Sequence, residues 1–313
     1  MKIVRFNFAL ILMIMFALSI KAAPVFSWYC KRNNSHNQPE LGSDLKIAEK
    51  YDVYWCDKNH TSIDDTDKVI YLTFDAGYEN GNIEKILDVL KEENVKSTFF
   101  ILDNMIIKNK SIVKRMIDEG HTVANHTLRH KDMSKINNID DFQKELYSLE
   151  KLYEKSYGKE MAKYYRPPEG KFTEENLKWA QDLGYKTIFW SFAYADWDNN
   201  KQLNKDNALN KILDNVHNGE VMLLHPTSST NAEIMKELIV TLKKQGFRFG
   251  EIDELCAYWI QYDLEIKKRN RTDFSFNINL FIGRGVVFLY VIIFIIADLI
   301  NNSISVPFIN HMV

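Results

Sequence analysis

The chain has 313 residues, of which 46% are apolar and 26% charged, and its formal net charge at pH 7 is -2. This composition excludes disorder as the main state and is long enough for one sizeable core with appendages. The near-neutral balance gives no support for a nucleic-acid partner. The three cysteines, Cys30, Cys56 and Cys256, are too few and too scattered for a disulfide framework or a thiolate metal site, and they allow one disulfide at most.

The first 23 residues indicate export. Lys2 and Arg5 precede an uncharged run over 8–20, and small residues follow it. A basic segment, a short apolar segment and small residues, in that order, are typical of a secretory signal peptide. Because Lys21 and Pro24 make a poor cleavage site, an uncleaved N-terminal anchor is the alternative. Either one predicts a chain that is secreted or membrane-tethered, outside the cytoplasmic membrane.

Two further segments, 24–66 and 256–313, are predicted to flank the main domain. Residues 24–66 are polar, contain one short helical pattern over 45–51, and are too few to bury a core of their own. We expect them to form an extension packed on the main domain. In the C-terminal tail, 285–297 is an unbroken apolar run, shorter than the roughly 20 residues of a spanning helix. We interpret it as a membrane-associated segment, with a buried hydrophobic hairpin as the alternative.

Between 67 and 255 the chain alternates strand-like and helix-like segments. The uncharged run over 69–74 is typical of a strand buried on both faces, and the apolar residues over 83–90 follow at helical spacing. Thr173 and Asn231 are predicted to cap two later helices, which end at Gly184 and Gly246. The other predicted strands are 97–102, 122–124, 186–190, 221–224 and 247–249, and the other helices 112–117 and 139–157.

Repetition of strand, helix, glycine and strand predicts an α/β fold. We expect a distorted or incomplete (β/α) barrel over 67–255, with a doubly wound open sheet as the alternative. In both architectures the carboxyl ends of the strands carry the chemistry. Residues at those ends are therefore the first candidates for a functional site.

Polar side chains follow several of the predicted strands. Asp75 ends the first strand, where its alternative role is to cap a turn. His126 and His130 follow the strand over 122–124 at i, i+4, and on one helical turn this spacing would let two imidazoles share a metal. A solvated or capping role is the alternative for this pair.

Three more strand ends carry candidates. Two prolines and a glycine fix the backbone after Arg166, Asp196 and Trp197 come after the strand over 186–190, and His225 ends the strand over 221–224. Each has a structural alternative: an ion pair, a core tryptophan or a hydrogen-bonded core histidine. The coincidence of all five motifs at predicted strand ends favours a single site.

In order and spacing, these segments resemble the five motifs of the polysaccharide deacetylases, carbohydrate esterase family 4. The matching segments are Thr73-Phe-Asp75, His126-Thr-x-x-His130, Arg166-Pro-Pro, Asp196-Trp197 and Leu223-x-His225. The match is closest to the branch that removes acetyl groups from muramic acid in spore cortex peptidoglycan, on the way to muramic δ-lactam. The segments that carry this closer match include Phe26-Ser-Trp-Tyr29 and Thr73-Phe-Asp-x-Gly-Tyr-Glu-Asn80.

The resemblance implies a hydrolytic N-deacetylase with a divalent metal cation. His126 and His130 would bind the metal, and the sequence does not distinguish among Zn, Mn, Mg and Co. Asp75 would be the general base, and His225 would protonate the departing sugar amine. The partners implied are peptidoglycan glycan strands, with no nucleic acid, and the hydrophobic terminal segments add an expected membrane association.

The remaining motif residues are implied to support these groups. Arg166 would fix the carboxylate of Asp75, and Asp196 would keep His225 charged. Leu223 and Trp197 would line the pocket for the acetyl group. The tetrahedral oxyanion would be stabilised by the metal and a backbone N–H.

Ala76 departs from the family pattern, which has a metal-binding aspartate at this position, or asparagine in the muramic acid branch. A methyl group coordinates nothing, so two protein ligands remain where three are usual for a catalytic metal. The alternatives are a weak metal site completed by water, a metal-independent or impaired enzyme, and a non-catalytic homologue that still binds glycan. A working enzyme is favoured because every acid–base group is present.

For the substrate, deacetylation of chitooligosaccharides is a further alternative.

Overall fold

The computed structural model describes residues 23–257. The predicted signal or anchor, Ala23 apart, and the apolar run of the tail lie outside the described residues. The strands are β1 (Phe26–Ser27), β2 (Val53–Tyr54), β3 (Lys68–Ala76), β4 (Thr98–Ile101), β5 (Thr122–Asn125), β6 (Tyr164–Tyr165), β7 (Lys171–Phe172), β8 (Lys186–Ile188), β9 (Glu220–Leu224) and β10 (Phe247–Phe249). The helices are α1 (Asn82–Glu92), α2 (Asp103–Lys108), α3 (Lys110–Asp118), α4 (Ile139–Tyr157), α5 (Glu174–Asp182), α6 (Lys205–Leu213) and α7 (Ser229–Lys244), with 3₁₀ turns at Leu45–Lys50, Met133–Lys135 and Pro168–Gly170.

The main sheet is parallel throughout and curls around β3. Strand β3 pairs with β9, with β10 at its start and with β4 at its end, and β5, β6, β8 and β2 follow β4 in that order. After β8 the chain reaches β9 through a parallel bridge between Phe192 and Met222. This bridge closes the circle of strands. The prediction of a distorted (β/α) barrel is confirmed, and the open-sheet alternative is wrong.

Strand β3 is buried on both faces because the two sets of alternating side chains meet different partners. Ile70, Leu72, Phe74 and Ala76 belong to the large apolar core that also holds the buried faces of α1 and α7. Thr73 belongs to the other set, and its hydroxyl donates to the carbonyl of Met222 on β9 at 2.8 Å. Asp75 follows two residues later in that second register.

Two local predictions have different outcomes. The predicted Thr173 cap is confirmed, because its hydroxyl accepts the Asn176 backbone N–H and the Asn176 side chain accepts the Thr173 N–H in return. The predicted Asn231 cap is wrong. Ser228 is the N-cap of α7, and its Oγ accepts the backbone N–H of Asn231 at 3.0 Å. The side chain of Asn231 is thereby left for another role.

Residues 26–56 make close contacts with the chain around β7 and β8. Strand β1 pairs antiparallel with β7, and the Trp28 ring stacks on Phe189 with centroids 4.1 Å apart. The Trp28 indole N–H donates to the carbonyl of Trp190 at 2.9 Å. Gly170 has φ +64°, and a Cβ there would lie 2.9 Å from Trp28 and 2.8 Å from Trp190. All three cysteines are free thiols, and within 23–257 no helix has the length and apolar character needed to cross a membrane.

Candidate active site

A cavity of about 940 Å³ opens beside the carboxyl ends of β3, β5 and β9. Six of the eight predicted site residues line it: Asp75, His126, His130, Trp197, Leu223 and His225. The other two, Arg166 and Asp196, are buried and bond directly to residues that line it. The structure therefore brings all eight together. Trp197 is 64% exposed at the cavity, whereas Leu223 is buried.

The carboxylate of Asp75 is held by Arg166, whose Nη1–H donates to Oδ1 at 2.9 Å. The guanidinium is fully buried, and it also donates to the carbonyl oxygens of Ile188 at 3.0 Å and Phe189 at 3.1 Å. Its Cζ lies 4.2 Å from the centroid of the Phe100 ring. These contacts fix the arginine as a rigid partner for the acid.

Burial raises the pKa of Asp75, but neighbouring positive charges outweigh it: that of His126 when its ring is protonated, and those of Arg166 and His225. The net pKa is below the usual range for aspartate. The side chain is therefore ionised at neutral pH. Because Arg166 occupies Oδ1, the second oxygen, Oδ2, is available to accept a proton from a bound water.

His225 is held by the buried carboxylate of Asp196. Nδ1–H of His225 donates to Oδ1 of Asp196 at 2.7 Å, and the backbone N–H of His225 donates to Oδ2 at 2.8 Å. Burial lowers the pKa of His225, but the hydrogen bond and charge of Asp196 outweigh it, and the net pKa is raised. The imidazole is thereby favoured in the charged form, with Nε2 left for another partner.

Asn231 and Tyr194 complete the hydrogen bonding around the Asp196 carboxylate. The sequence analysis did not identify either residue as a partner of Asp196. The Asn231 amide donates to Oδ2 of Asp196 at 2.6 Å and to the backbone carbonyl of His225 at 3.1 Å. The Tyr194 hydroxyl donates to Oδ1 of Asn231. Asn231 is fully buried in the first turn of α7, so its polar side chain has an interior partner rather than solvent. The sequence carries no signal for this role, because an asparagine at the start of a helix predicts a cap.

His126 and His130 lie together, but the predicted helical turn is wrong. The segment over 126–130 is not helical, and Thr127 and His130 have positive φ values of 72° and 56°. The Asn125 side chain accepts the backbone N–H of Thr127 at 2.8 Å, which supports this loop. The two imidazole centroids are 5.1 Å apart at an interplanar angle of 71°.

The tautomer of His126 follows from its partners. Nδ1–H donates to the backbone carbonyl of Arg166 at 2.9 Å, which leaves the lone pair on Nε2. Burial lowers the pKa of His126 to about 4, so the ring is neutral at neutral pH. Nε2 lies 3.6 Å from Oδ2 of Asp75, and both atoms are acceptors. A water or a cation is the group that satisfies such a pair.

The donors fit a divalent cation only in part. Two imidazoles are ordinary ligands for such a cation. Ala76, at the position of the family's third ligand, is fully buried in the apolar core with Phe74 and Ile101 and does not line the cavity. Within the described part of the chain, no three His, Cys, Asp or Glu side chains are grouped to hold a metal. The two imidazoles are therefore candidate ligands without a third protein ligand among the described residues.

The geometry places a carboxylate and an imidazole at the ends of two hydrogen-bonded strands. Asp75 lies on β3, His225 follows β9, and the two strands pair through Phe74 and Leu224. An ionised carboxylate that takes a proton from water and an imidazolium that protonates a leaving amine are the two groups that amide hydrolysis needs. Both line the same cavity.

Comparisons with known proteins agree with this geometry. A family model described as polysaccharide deacetylase matches residues 62–188. The peptidoglycan-N-acetylmuramic acid deacetylase PdaA of Bacillus subtilis is 41% identical over 230 residues, which cover 73% of this chain and 85% of PdaA. The solved structure of Bacillus subtilis PdaA, a family 4 carbohydrate esterase, matches with a TM-score of 0.69 at 40% identity, covering 74% of this chain and 96% of that chain.

Two further relatives show how varied such proteins are. A peptidoglycan-N-acetylglucosamine deacetylase of Bacillus cereus is 35% identical over 184 residues, which cover 58% of this chain and 65% of that protein. A pseudoenzyme of carbohydrate esterase family 4 from Bacillus anthracis matches with a TM-score of 0.56 at 30% identity, covering 61% of this chain and 66% of that chain. The fold, the strand-end residues and the extent of the match to PdaA lead to one conclusion: the chain belongs to the polysaccharide deacetylases of carbohydrate esterase family 4, a family of N-deacetylating hydrolases.

Proposed function

We propose that this chain removes acetyl groups from amino sugars of peptidoglycan, with N-acetylmuramic acid as the sugar. The observation that carries the proposal is the acid–base pair of Asp75 and His225, each held by its own buried partner in one cavity. The similarity to PdaA, a peptidoglycan-N-acetylmuramic acid deacetylase, supports the choice of substrate.

In the proposed reaction, Asp75 accepts a proton from a water that attacks the acetamide carbonyl carbon. Arg166 keeps the carboxylate ionised and oriented through its hydrogen bond to Oδ1. The carbon–nitrogen bond then breaks, acetate leaves, and Nε2–H of His225 protonates the sugar nitrogen. Asp196 favours the charged imidazole through its bond to Nδ1. One water is consumed, and one acetate and one amine are formed.

Leu223 and Trp197 are proposed to contact the substrate. Leu223 is buried at the cavity wall, where an apolar side chain suits the acetyl methyl group. Trp197 is largely exposed at the same cavity, where an indole face suits the apolar face of a sugar ring.

We also propose that His126 and His130 bind a divalent cation weakly, with water completing its coordination. A cation held by these two residues would supply Lewis-acid polarisation of the acetamide carbonyl. The neutral Nε2 of His126 and the adjacent His130 ring support binding, and Ala76 is the reason that we expect it to be weak. Metal analysis of the full-length protein after equilibration with Zn²⁺, Mn²⁺, Co²⁺ or Mg²⁺ tests this, with His126→Ala as the control.

The proposed place of action is outside the cytoplasmic membrane, on cell wall or spore cortex peptidoglycan, with muramic δ-lactam as the later product. Relatives that act on peptidoglycan support the extracytoplasmic location. Secretion or tethering depends on the segments outside 23–257. Fractionation of cells that produce the full chain, followed by N-terminal sequencing, distinguishes a cleaved signal peptide from an anchor.

The activity is tested with the full-length protein and glycan strands from which the peptides have been removed. Acetate release is measured with each divalent metal in turn, beside Asp75→Asn. We expect release by the wild type and very little by the variant. Absence of release under every metal condition, with no difference between wild type and variant, would overturn the proposal.

A non-catalytic, glycan-binding role is the second candidate, favoured by Ala76 and by the existence of a pseudoenzyme in the family. It predicts that the protein binds glycan strands without releasing acetate, and that His126→Ala leaves this binding unchanged.

Deacetylation of chitooligosaccharides is the third candidate. It is distinguished by offering chitin oligomers beside peptidoglycan strands to the same preparation.

A further inference from the structure

Arg32 is a cationic residue of the cavity wall that does not belong to any of the five motifs. It lies on the segment that follows β1, yet it lines the same cavity as Asp75 and His225. Its side chain reaches the site from outside the circle of parallel strands. Arg32 is not a hydrogen-bond or ion-pair partner of Asp75 or His225, so its charge is available for the substrate.

The backbone around Arg32 is anchored on both sides. Before it, the Trp28 indole N–H and the Cys30 thiol both donate to the carbonyl of Trp190, at 2.9 Å and 3.2 Å. After it, the His36 imidazole hydrogen-bonds to the carbonyl of Val216 at 2.7 Å. The position of Arg32 at the cavity is therefore set by contacts with the barrel.

Arg32 is exposed and has no ion-pair or hydrogen-bond partner among residues 23–257, whereas both carboxylates of the cavity wall are already paired. Asp75 is bound by Arg166. Glu169 is bound by Lys171, with Nζ and Oε2 2.5 Å apart. The protein thus leaves one guanidinium at this cavity without an anion.

We propose that Arg32 is a specificity-determining residue that binds the lactyl carboxylate of peptide-free muramic acid. The inference rests on the proposed function and deepens it. In muramic acid the lactyl ether is on the ring carbon next to the one that bears the acetamide, so its carboxylate enters the cavity when the acetamide reaches Asp75. Guanidinium and carboxylate form charge-assisted, paired hydrogen bonds. N-acetylglucosamine has no such carboxylate, and a peptide-linked lactyl group has an uncharged amide instead.

The test compares two forms of the same glycan strand, one with free lactyl carboxylates and one in which they have been converted to amides. For the full-length wild type we expect KM to be about tenfold lower with the carboxylate form. We expect kcat to be similar for both, because the lactyl carboxylate takes no part in breaking the amide bond. Arg32→Gln should raise KM for the carboxylate form by about tenfold and remove the discrimination. Arg32→Lys should restore part of it, since a lysine keeps the charge without the planar fork.

Lys31→Gln is the matched control, because it removes one positive charge from an adjacent exposed residue that does not line the cavity. It should leave the discrimination unchanged. Calorimetry also measures the binding of soluble fragments of both strands. It distinguishes a failure of the proposed role of Arg32 from a failure of the proposed deacetylase function. Acetate release by the wild type with equal KM values for Arg32→Gln and wild type overturns the role of Arg32 alone. Absence of acetate release overturns the proposed function. The ratio of the affinities for the carboxylate and amide fragments then tests Arg32 alone: an equal ratio in wild type and Arg32→Gln overturns its role.

Discussion

The two sides of the cavity differ in how completely they are built. One side, called the acid side here, holds His225 as the proposed proton donor. There Asp196 accepts hydrogen bonds from the ring and the backbone of His225 and from the amide of Asn231. On the histidine side, which holds His126 and His130, the His126 ring faces Asp75 and lies beside the His130 ring. No third ligand accompanies them, because Ala76 lies in the apolar core. Proton transfer is therefore supported by a full set of partners, whereas metal binding is not.

This difference shows which chemistry the protein can perform with its own residues. A buried carboxylate with three donors is a rigid support that persists without any ligand. Nε2 of His126 and Oδ2 of Asp75 are facing acceptors, and they need a water or a cation to satisfy them. Substitutions on each side should therefore have distinguishable effects, and Asp75, which lies between the two sides, should be the most sensitive position.

Asp75→Asn should produce the largest effect. The amide cannot accept the proton of the attacking water, so we expect kcat/KM to fall by about 10³-fold, within the range for loss of a general base. Acetate release from peptide-free glycan strands measures it, and a thermal melt shows whether the fold is retained. A loss smaller than about tenfold would mean that water is activated on the histidine side alone.

Arg166→Met should have the next largest effect, on stability as well as activity. Removing the fully buried guanidinium leaves Asp75 without its partner, and breaking a buried pair in this way costs about 3–5 kcal/mol of unfolding free energy. The pKa of Asp75 should rise, because burial continues to raise it after the arginine charge is lost. Urea denaturation measures the loss of stability.

The double variant Arg166→Met/Asp75→Asn is the control for this interpretation. It removes both charges, so it should recover part of the lost unfolding free energy relative to Arg166→Met alone. Full additivity of the two single substitutions would contradict a direct interaction between them.

The sequence predicted the barrel, and it predicted that polar residues at the strand ends share one cavity, because both depend on local signals. The choice of Leu223 and the role of each of the eight residues came from the family resemblance and stay predictions. Uncharged runs mark buried parallel strands, and a polar residue directly after such a run marks the catalytic edge. The same reasoning failed where the role of a side chain depends on tertiary contacts. Asn231 was predicted as a cap because asparagine favours that position, whereas its buried amide binds Asp196 across the fold.

The spacing of His126 and His130 was also ambiguous. An i, i+4 pair is typical of a helical face, but a loop with two positive φ values brings the same rings together. Arg32 lay outside the predicted site altogether. Its place at the cavity depends on the docking of Trp28 onto Phe189 and Trp190, and no periodicity in the sequence encodes a contact over 160 residues apart.

Asp196→Asn should weaken the acid side by shifting a pKa. Asp196 raises the pKa of His225 against the effect of burial, with Asp75 also raising it and Arg166 lowering it. The acid must be protonated, so activity is lost as the pH rises through the His225 pKa. Without the Asp196 charge that pKa falls, and the alkaline limb of kcat/KM should move to lower pH, with a loss of about 10²-fold at neutral pH.

A full pH profile for wild type and Asp196→Asn measures this shift. The acidic limb serves as the internal control, because it reports a different group. An alkaline limb at the same pH in both proteins would show that His225 is not the group that titrates there.

Ala76→Asp tests the incomplete side. A carboxylate that turns toward His126 and His130 would supply the third ligand, and we expect metal affinity to rise by about tenfold or more, since losing even an outer-shell partner costs 10- to 100-fold. Acetate release at low metal concentration should rise with it. Metal titration of the full-length protein measures the affinity, and Ala76→Asn is the neutral comparison. Lower stability with unchanged metal affinity would show that the side chain at position 76 stays in the apolar core.

Asn231→Ala should have the smallest effect and the most specific one. Removing the amide leaves Oδ2 of Asp196 with one donor, the backbone N–H of His225, and costs about 1–3 kcal/mol of stability for the lost buried hydrogen bonds. Asp196 keeps its charge, so the alkaline limb should move far less than in Asp196→Asn, and kcat/KM should fall only several-fold.

Tyr194→Phe sharpens this last test, because the hydrogen bonds of the Tyr194 hydroxyl connect it to His225 through Asn231 and Asp196. Its effect on kcat/KM should disappear in the Asn231→Ala background, as expected for residues in one hydrogen-bonded chain. Neither variant should change metal affinity, because the hydrogen bonds of Asn231 and Tyr194 lead to Asp196 and His225 and not to His126 or His130. If Asn231→Ala altered metal binding as much as Ala76→Asp does, the two sides of the cavity would be one coupled unit, and their different completeness would have no functional meaning.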